Sequence, residues 1–435
     1  MKLTAFQSDK GDCLLLETKD GKHRMLIDGG MKRAYSEHVA PATGALRKAK
    51  KKLDIVYISH IDADHISGVL QMLDDEAAWR VHEHQLGQGN ANHKVPVAPR
   101  PAEAGAIFHN SFHDQVGKNS GDVEDMLAAT ASILSGSEHP WLMEVAEHRG
   151  DIAASVREAM KVSRRIKPGQ LNIPLNPQFH GKLMLVKDQM GPIQLGSIGL
   201  RVIGPFPEDV TKLRTDWNGW LKKNQDAVKS IRAQAERDEE SMTASAVDRV
   251  LGPLLRAADR LGAAELALAK KLGVRGKVTA PNLASLMFLA EEDGETILLT
   301  GDGHADDIIK GLDHHNAFGA NGKLHVDILK VQHHGSENNI HQRFCDAVTA
   351  GDYVFCGNGE HENPDLDVLE LIFDRRMAND KRRFKFWFNS TSKLSVKPVG
   401  RAHMKKVESL VAKLAGKSGG RLTSTFIKGS SIRIR

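Results

Sequence analysis

The chain has 435 residues, of which 40% are hydrophobic and 26% are charged, and its formal net charge is +5. These values exclude a fibre, a disulfide-rich miniprotein and a disordered chain. No stretch approaches the roughly 20 apolar residues of a membrane helix, and no signal peptide is visible. The three cysteines lack CxxC spacing and are typical of free thiols in a reducing compartment. We therefore expect a cytoplasmic protein that does not contact a membrane.

Short apolar runs separated by turn residues predict strands in the first sixty residues. The predicted strands cover residues 3–6, 12–17, 24–27 and 53–59. Asp20-Gly21 is a turn signal between two of them. The strand at 24–27 ends at Asp28-Gly29-Gly30, the strand at 53–59 ends at His60, and a helix is predicted after Asp64.

The rest of the chain alternates predicted strands and helices around one long helical stretch. Residues 216–272 are rich in Ala, Leu, Lys, Arg and Glu and have few breakers, which predicts a helical insertion at about 210–275. Further strands are predicted within 193–203 and at 285–290, 296–300, 326–331, 352–356 and 384–388, with late strands within 423–435. Helices are predicted at 366–373 and 402–415.

Metal chemistry is indicated first by the segment His60-Ile61-Asp62-Ala63-Asp64-His65, which has the form H-x-D-x-D-H. His60 and Asp62 are two residues apart, so an extended backbone directs both side chains the same way. Four ligand-type side chains leaving one short turn can hold two metals, one pair each. A solvent-exposed polar loop is the alternative, but two distant segments complete the set.

Two later strands also end in ligand-type residues. The apolar run Ile297–Thr300 delivers Asp302 beside glycines, and a carboxylate there can bridge two cations. The strand within Asp327–Val331 is followed by His333 and His334. Three strand ends tipped with His or Asp predict one site at the edge of a sheet sandwich.

These motifs resemble those of the metallo-β-lactamase fold hydrolases, and most closely the ComEC-like branch. The matching segments, in chain order, are Gly11–Leu15, Leu26–Gly30, His60–His65 with Gly68, Asn282–Leu286, Leu298–Asp302, Ile328–Ser336 and, more loosely, Gly357–Pro364. The resemblance implies an α/β fold, a four-layer αββα sandwich, with the metal site between the two sheets.

The resemblance also implies a set of ligands and roles. His60 and Asp62 would bind one metal, Asp64 and His65 the other, Asp302 would bridge, and His334 would complete the second metal site. His334 is preferred over His333 because the family ligand stands directly before Gly. Asp64 and His333 are the implied catalytic residues, with His333 polarising the substrate or donating a proton.

The sequence departs from the family pattern at the first metal. Asp62 stands where many members have His, and the third-motif His has no counterpart. Asn282 could fill that place, or a histidine from the 85–180 region, His109 or His113, could reach in.

Two divalent ions are expected, Zn²⁺ first and Mn²⁺ as the alternative that oxygen ligands favour. Asp28 is interpreted as a carboxylate that orients a ligand histidine.

The charge is distributed unevenly along the chain. Residues 381–435 contain 15 Lys and Arg and one acid, a balance of +14, which leaves −9 for residues 1–380. A basic end on an acidic body predicts contact with DNA or RNA, although a merely solvated surface is the alternative. We expect residues 1–400 to form the hydrolase domain with its insertion. Residues 401–435 would form a basic helix and strand packed on the same domain.

The leading functional hypothesis is a phosphodiesterase or nuclease acting through a metal-activated water. A hydrolase of a small ester, lactone or amide would use the same centre and is the first alternative. A non-catalytic, metal-stabilised binding protein is the second alternative, which the missing third-motif His allows.

Overall fold

The computed structural model describes residues 1–110, 158–159, 161–208, 210–211 and 285–435. Apart from residues 210 and 211, the helical insertion predicted at about 210–275 lies outside the described residues. The strands, helices and hydrophobic cores of the fold are those of the described ranges.

Fourteen strands lie in the described part of the chain. They are β1 (Lys2–Phe6), β2 (Leu14–Glu17), β3 (Arg24–Ile27), β4 (Ile55–Ile58), β5 (Ile107–His109), β6 (Ile193–Leu195), β7 (Ile198–Gly204), β8 (Met287–Glu292), β9 (Glu295–Leu299), β10 (Leu324–Lys330), β11 (Val348–Phe355), β12 (Phe384–Phe388), β13 (Leu422–Phe426) and β14 (Ser431–Arg433). A six-stranded sheet has the order β14-β1-β2-β3-β4-β5, and an eight-stranded sheet has the order β13-β12-β11-β10-β9-β8-β7-β6. Strands β3 to β5 run parallel, as do β9 to β13.

Helices cover the outer faces of the two sheets. They include α1 (Lys32–Ala34) and α2 (Ala40–Lys48), joined by the π-helical turn Tyr35–Val39, then α3 (Ala63–Gly87), α4 (Ala305–His314), α5 (Gln342–Ala347), α6 (Leu366–Asn379) and α7 (Pro398–Lys417). The helix predicted after Asp64 is therefore α3, which begins one residue before Asp64. Both α6 and α7 extend beyond their predicted ends.

Three hydrophobic cores separate the layers. Leu26 of β3 belongs to a core shared with Val69 of α3, whereas its neighbour Ile27 belongs to a core shared with Phe288 of β8. Leu298 of β9 faces a third core, which contains residues of α4 to α7. Neighbouring side chains in a strand point to opposite faces, so strands buried on both faces consist of continuous apolar residues. The order helix, sheet, sheet, helix is the expected αββα sandwich.

The site lies where several parallel strands end. His60 follows β4, Asp302 follows β9, and His333 and His334 follow β10. The backbone N–H of Leu286 donates to the carbonyl of Ser59 at 2.8 Å and joins the two sheets at this edge. The carboxyl ends of parallel strands are where α/β sheets place their ligands.

A close contact between two glycines fixes the first turn of α3 against this edge. A Cβ at Gly29 would lie 2.3 Å from the backbone nitrogen of Val69, and one at Gly68 would lie 2.0 Å from the carbonyl oxygen of Gly29. The Gly29 N–H donates to the His65 carbonyl at 2.8 Å. Only glycine permits this approach, which holds the start of α3 beside Asp28.

The C-terminal segment takes part in both sheets. β13 pairs with β12 in the larger sheet, and β14 pairs with β1 in the smaller one. Met404, Val407 and Val411 of α7 are buried in the third core.

The division into domains at residues 1–400 and 401–435 stays a prediction. None of the described helices is long and apolar enough to cross a membrane.

Candidate metal centre

The structure brings together the side chains predicted to hold the first metal. His60 Nε2 lies 3.6 Å from Asp62 Oδ2 and 3.5 Å from Asp302 Oδ2. The His60 side chain is 1% exposed and that of Asp62 is 30% exposed. This half of the cluster therefore reaches from the interior to the surface.

The side chains predicted for the second metal lie on the other side of Asp302. His65 Nε2 lies 3.4 Å from His334 Nε2 and 3.5 Å from Asp302 Oδ1. His334 Nε2 lies 3.1 Å from Asp64 Oδ2 and 3.6 Å from Asp302 Oδ2. Asp302 thus contacts both halves of the cluster through its two oxygens, as a bridging carboxylate must.

Carboxylates behind the rings orient two of these histidines. Asp28 accepts hydrogen bonds from the Ser59 N–H and hydroxyl, both at 2.8 Å, and its Oδ2 lies 3.0 Å from His65 Nδ1. Asp12 Oδ1 lies 3.1 Å from His334 Nδ1. An Nδ1–H donated to a carboxylate leaves Nε2 as the free ligand atom, a common arrangement behind metal-binding histidines.

His333 is held apart from His334 by a different partner. Its Nδ1 lies 2.6 Å from Asn339 Oδ1, and Asn339 donates its amide N–H to the Asp302 carbonyl at 2.8 Å. His333 Nε2 lies 3.7 Å from Asp302 Oδ2, and the side chain is 28% exposed. Both histidines have positive φ, 45° for His333 and 56° for His334, a backbone that non-glycine residues seldom adopt. The turn thus directs the two adjacent rings to different partners.

The charges of the cluster reinforce one another. Burial by itself lowers the pKa of His334, but Asp302 and Asp12 outweigh it and raise that pKa to about 10. The same balance, with Asp302 the strongest carboxylate, raises the pKa of His65 well above its usual value. Burial opposes ionisation of Asp302, yet the surrounding histidines, His334 first, hold its pKa well below its usual range. Without a metal, protons on these histidines balance the carboxylates.

Two buried atoms indicate that the cluster fits metal ions. Among the described residues, His60 Nε2 and Asp302 Oδ1 are buried and neither donate nor accept a hydrogen bond. Such orphaned atoms are costly unless an ion or water completes them. Ligand atoms about 2.0–2.1 Å from a tetrahedral zinc lie about 3.3 Å apart, within the range of separations seen here. The donor set of imidazoles and carboxylates suits Zn²⁺ or Mn²⁺.

Of the three candidates for the missing third-motif ligand, one lies within the described residues and two do not. Asn282 and His113 lie outside the described residues. His109 ends β5, and β5 pairs with β4 so that His109 lies opposite Ile58. Both of its ring nitrogens are buried and unpartnered within the described ranges, and burial lowers its pKa to about 4. The structure therefore places a buried, neutral imidazole at this sheet edge.

Sequence reasoning missed two buried site residues, Asp12 and Lys330. Asp12, His65, Asp302 and His334 each bring one ligand atom within 4.8 Å of the others. Lys330 Nζ forms an ion pair with Asp12 and lies 3.6 Å from Asp302 Oδ1. Asp12 lies in the Gly11-Asp12-Cys13 motif just before a buried strand, and this position was the sequence signal that could have identified it as a site residue. Lys330 ends the strand before the two histidines.

A second histidine–aspartate group, formed by His304, Asp306 and His341, also has ligand atoms within 4.8 Å of one another. His304 Nδ1 accepts from the Asp306 N–H at 3.2 Å, and His341 Nδ1 accepts from the Phe344 N–H at 3.3 Å. His341 Nε2 then donates to Asp306 Oδ1 at 3.0 Å. These bonds cap α4 and α5, and we interpret the group as structural.

Comparison with known proteins agrees with this architecture. Residues 9–127 match the model of the metallo-beta-lactamase superfamily. The chain has the metallo-β-lactamase fold. No curated protein matches the sequence. The superfamily match and the buried Asp/His cluster together support a metal-dependent hydrolase that binds divalent metal.

Proposed function

We propose that the chain is a phosphodiesterase or nuclease of the ComEC-like branch, with DNA or RNA as its substrate. The observation that carries the proposal is the basic helix α7, whose amino end is connected to the rim of the metal cluster. Bound divalent ions would supply an acidified water and neutralise charge on a phosphoryl group.

The connection between α7 and the cluster runs through one loop. His403 Nε2 donates to the Pro364 carbonyl at 2.9 Å. A Cβ at Gly335, the residue after His334, would lie 2.8 Å from Pro364 Cβ. The solvent-exposed basic residues of α7 are Arg401, Lys405, Lys406, Lys413 and Lys417. We propose that these basic residues hold a nucleic acid backbone along α7, beside the loop that contacts Gly335.

The exposed members of the cluster supply the remaining chemistry. His333 and Asp62 are the more open side chains, and Asp64 is 17% exposed. Burial opposes ionisation of Asp64, but His65 and His334 outweigh burial and hold its pKa below its usual value. The ionised Asp64 can accept a hydrogen bond from an attacking water and so orient it. His333, fixed by Asn339, can donate a proton from Nε2 to the leaving oxygen.

One arrangement at the same rim favours the small-substrate alternative. Asp9 lies beside Glu360, and burial together with the charge of Glu360 raises the pKa of Asp9. Two acids near the entrance repel a polyanion. Lys397, paired with Glu360 at 3.0 Å, offsets part of that charge.

The test is a substrate panel measured after loading with Zn²⁺, Mn²⁺ or Mg²⁺. We expect hydrolysis of bis-p-nitrophenyl phosphate and of single- or double-stranded DNA, and its loss in Asp64→Ala and His65→Ala. Both variants should keep the wild-type circular dichroism spectrum. Rapid hydrolysis of carboxylic esters or lactones with no phosphodiester cleavage would reject the nuclease proposal in favour of the small-substrate one.

A further inference from the structure

The floor of the metal cluster contains a permanent cation, Lys330. Its side chain is 2% exposed. The ammonium group forms an ion pair with Asp12 and donates to the Gly301 carbonyl at 2.9 Å. Burial opposes its charge, but Asp12 and Asp302 outweigh burial and raise the pKa of Lys330 above its usual value. A buried lysine is costly unless it is paired in this way.

Asp12 has two competing uses in the cluster. One of its oxygens is close enough to His65, Asp302 and His334 to act as a metal ligand. In the structure, however, Oδ1 faces His334 Nδ1 at 3.1 Å and Oδ2 faces Lys330, with His65 Nδ1 at 3.8 Å. These contacts are to Nδ1 atoms, behind the rings, whereas the Nε2 atoms face Asp302. In this arrangement Asp12 lies behind the two rings, and its Oδ2 is paired with the Lys330 ammonium.

We propose that Lys330 is a positioning residue that keeps Asp12 out of the metal site and so determines which divalent metal the site prefers. The inference rests on the metal-binding part of the proposed function. With the ammonium in place, Asp12 holds His334 from behind, and the metals would keep the imidazole and carboxylate ligands named above without Asp12. Without the ammonium, Asp12 is a buried carboxylate lacking its cationic partner, and an incoming metal ion is the nearest replacement. An added oxygen ligand favours Mn²⁺ relative to Zn²⁺.

The experiment measures metal affinity rather than turnover. Zn²⁺ and Mn²⁺ dissociation constants are determined by chelator competition for the full chain and for Lys330→Met, which keeps the length of the side chain. Loss of a neighbouring positive charge should tighten binding of both ions, by about tenfold or more. The ratio of Mn²⁺ to Zn²⁺ affinity should rise by about tenfold.

The matched control is Lys323→Met. Lys323 is exposed and immediately precedes β10, the strand that ends at Lys330, so it is about 23 Å away along the strand. Its substitution should leave both constants unchanged. Substituting the other member of the ion pair, Asp12→Asn, leaves Lys330 without its anionic partner. This variant should bind both metals more weakly.

A double variant keeps the inference testable if Lys330→Met does not fold. Asp12→Asn with Lys330→Met removes both charges and the competing carboxylate together. Its Mn²⁺ to Zn²⁺ ratio should stay close to that of the wild type. An unchanged ratio in folded Lys330→Met, or a raised ratio in the double variant, would overturn the inference. A wild-type chain that binds neither metal would instead reject the proposed function itself.

Discussion

His333 and His334 are neighbours in the chain, yet their rings have different partners. His334 is buried and held from behind by Asp12, whereas His333 is partly exposed and held by Asn339. The sequence-based preference for His334 as ligand rested on its position before Gly335. The hydrogen bonds add a physical reason, because each one fixes which ring nitrogen faces the cluster.

His333 should contribute most when the leaving group is poor. We expect His333→Gln to lower kcat on DNA or on an alkyl phosphodiester by about 10² to 10⁴, the usual range for a lost general acid. A nitrophenyl diester has a good leaving group and should be affected much less. Steady-state kinetics on both substrates check this. Equal decreases on the two substrates would show that His333 does not act as a proton donor.

Of the three candidates for the third-motif ligand, only His109 lies within the described residues. If it completes the first metal site, His109→Leu should reduce the metal content of the purified protein, measured by atomic emission, while the fold is kept. If the ring is merely a buried polar group, replacing it with an apolar one removes a desolvation cost. The melting temperature would then rise at unchanged metal content, and His109 would be excluded as a ligand.

At the scale of elements, the apolar runs predicted most strands and their carboxyl ends well. β4 and β9 are bounded within a few residues, because each run ends where polar site residues begin. β5, with only three residues, was not predicted, since so short a segment carries no periodic signal. The pairing of β14 with β1 joins the two ends of the chain, which local patterns cannot show. Lys330 and Asp12 were missed for the same reason, because their pairing spans 318 positions.

The basic helix α7 should bind nucleic acid in a graded way. Lys405 and Lys406 lie nearer the amino end of α7, which contacts the loop at Pro364. Lys413 lies about two turns further along the helix. We expect Lys405→Gln with Lys406→Gln to weaken DNA binding more than Lys413→Gln does. The log–log salt dependence of binding should become shallower by about 0.9 for each phosphate that the helix no longer neutralises. Hydrolysis of a small phosphodiester should not change.

A matched control for α7 exists at the far end of the first sheet. Lys50, Lys51 and Lys52 are exposed and precede β4, the strand that ends at the site. Neutralising all three removes more charge than the α7 double variant removes. If this control weakens DNA binding as much as the α7 change does, the binding reflects overall charge, and α7 has no special place in it.

For the whole molecule, the raised histidine pKa values couple stability to pH and metal. In the metal-free chain the folded pKa of His334 is about 10, above the unfolded value of about 6.5. A raised pKa stabilises the fold fully below about pH 6.5, and this contribution is lost as pH rises through about 10. The chelated protein should therefore become less stable to urea between pH 7 and pH 10. The metal-loaded protein should change less, because metal replaces these protons.

Hydrolysis by this chain should depend on metal bound at the Asp/His cluster. This dependence is measured by adding Mn²⁺ or Zn²⁺ stepwise to the chelated full chain while hydrolysis of bis-p-nitrophenyl phosphate is followed. We expect no hydrolysis before metal is added, and a rise that levels off near two equivalents per chain. Activity that survives chelation, or two bound equivalents that produce no hydrolysis of this diester, would show that the cluster is not the metal centre of a phosphodiesterase.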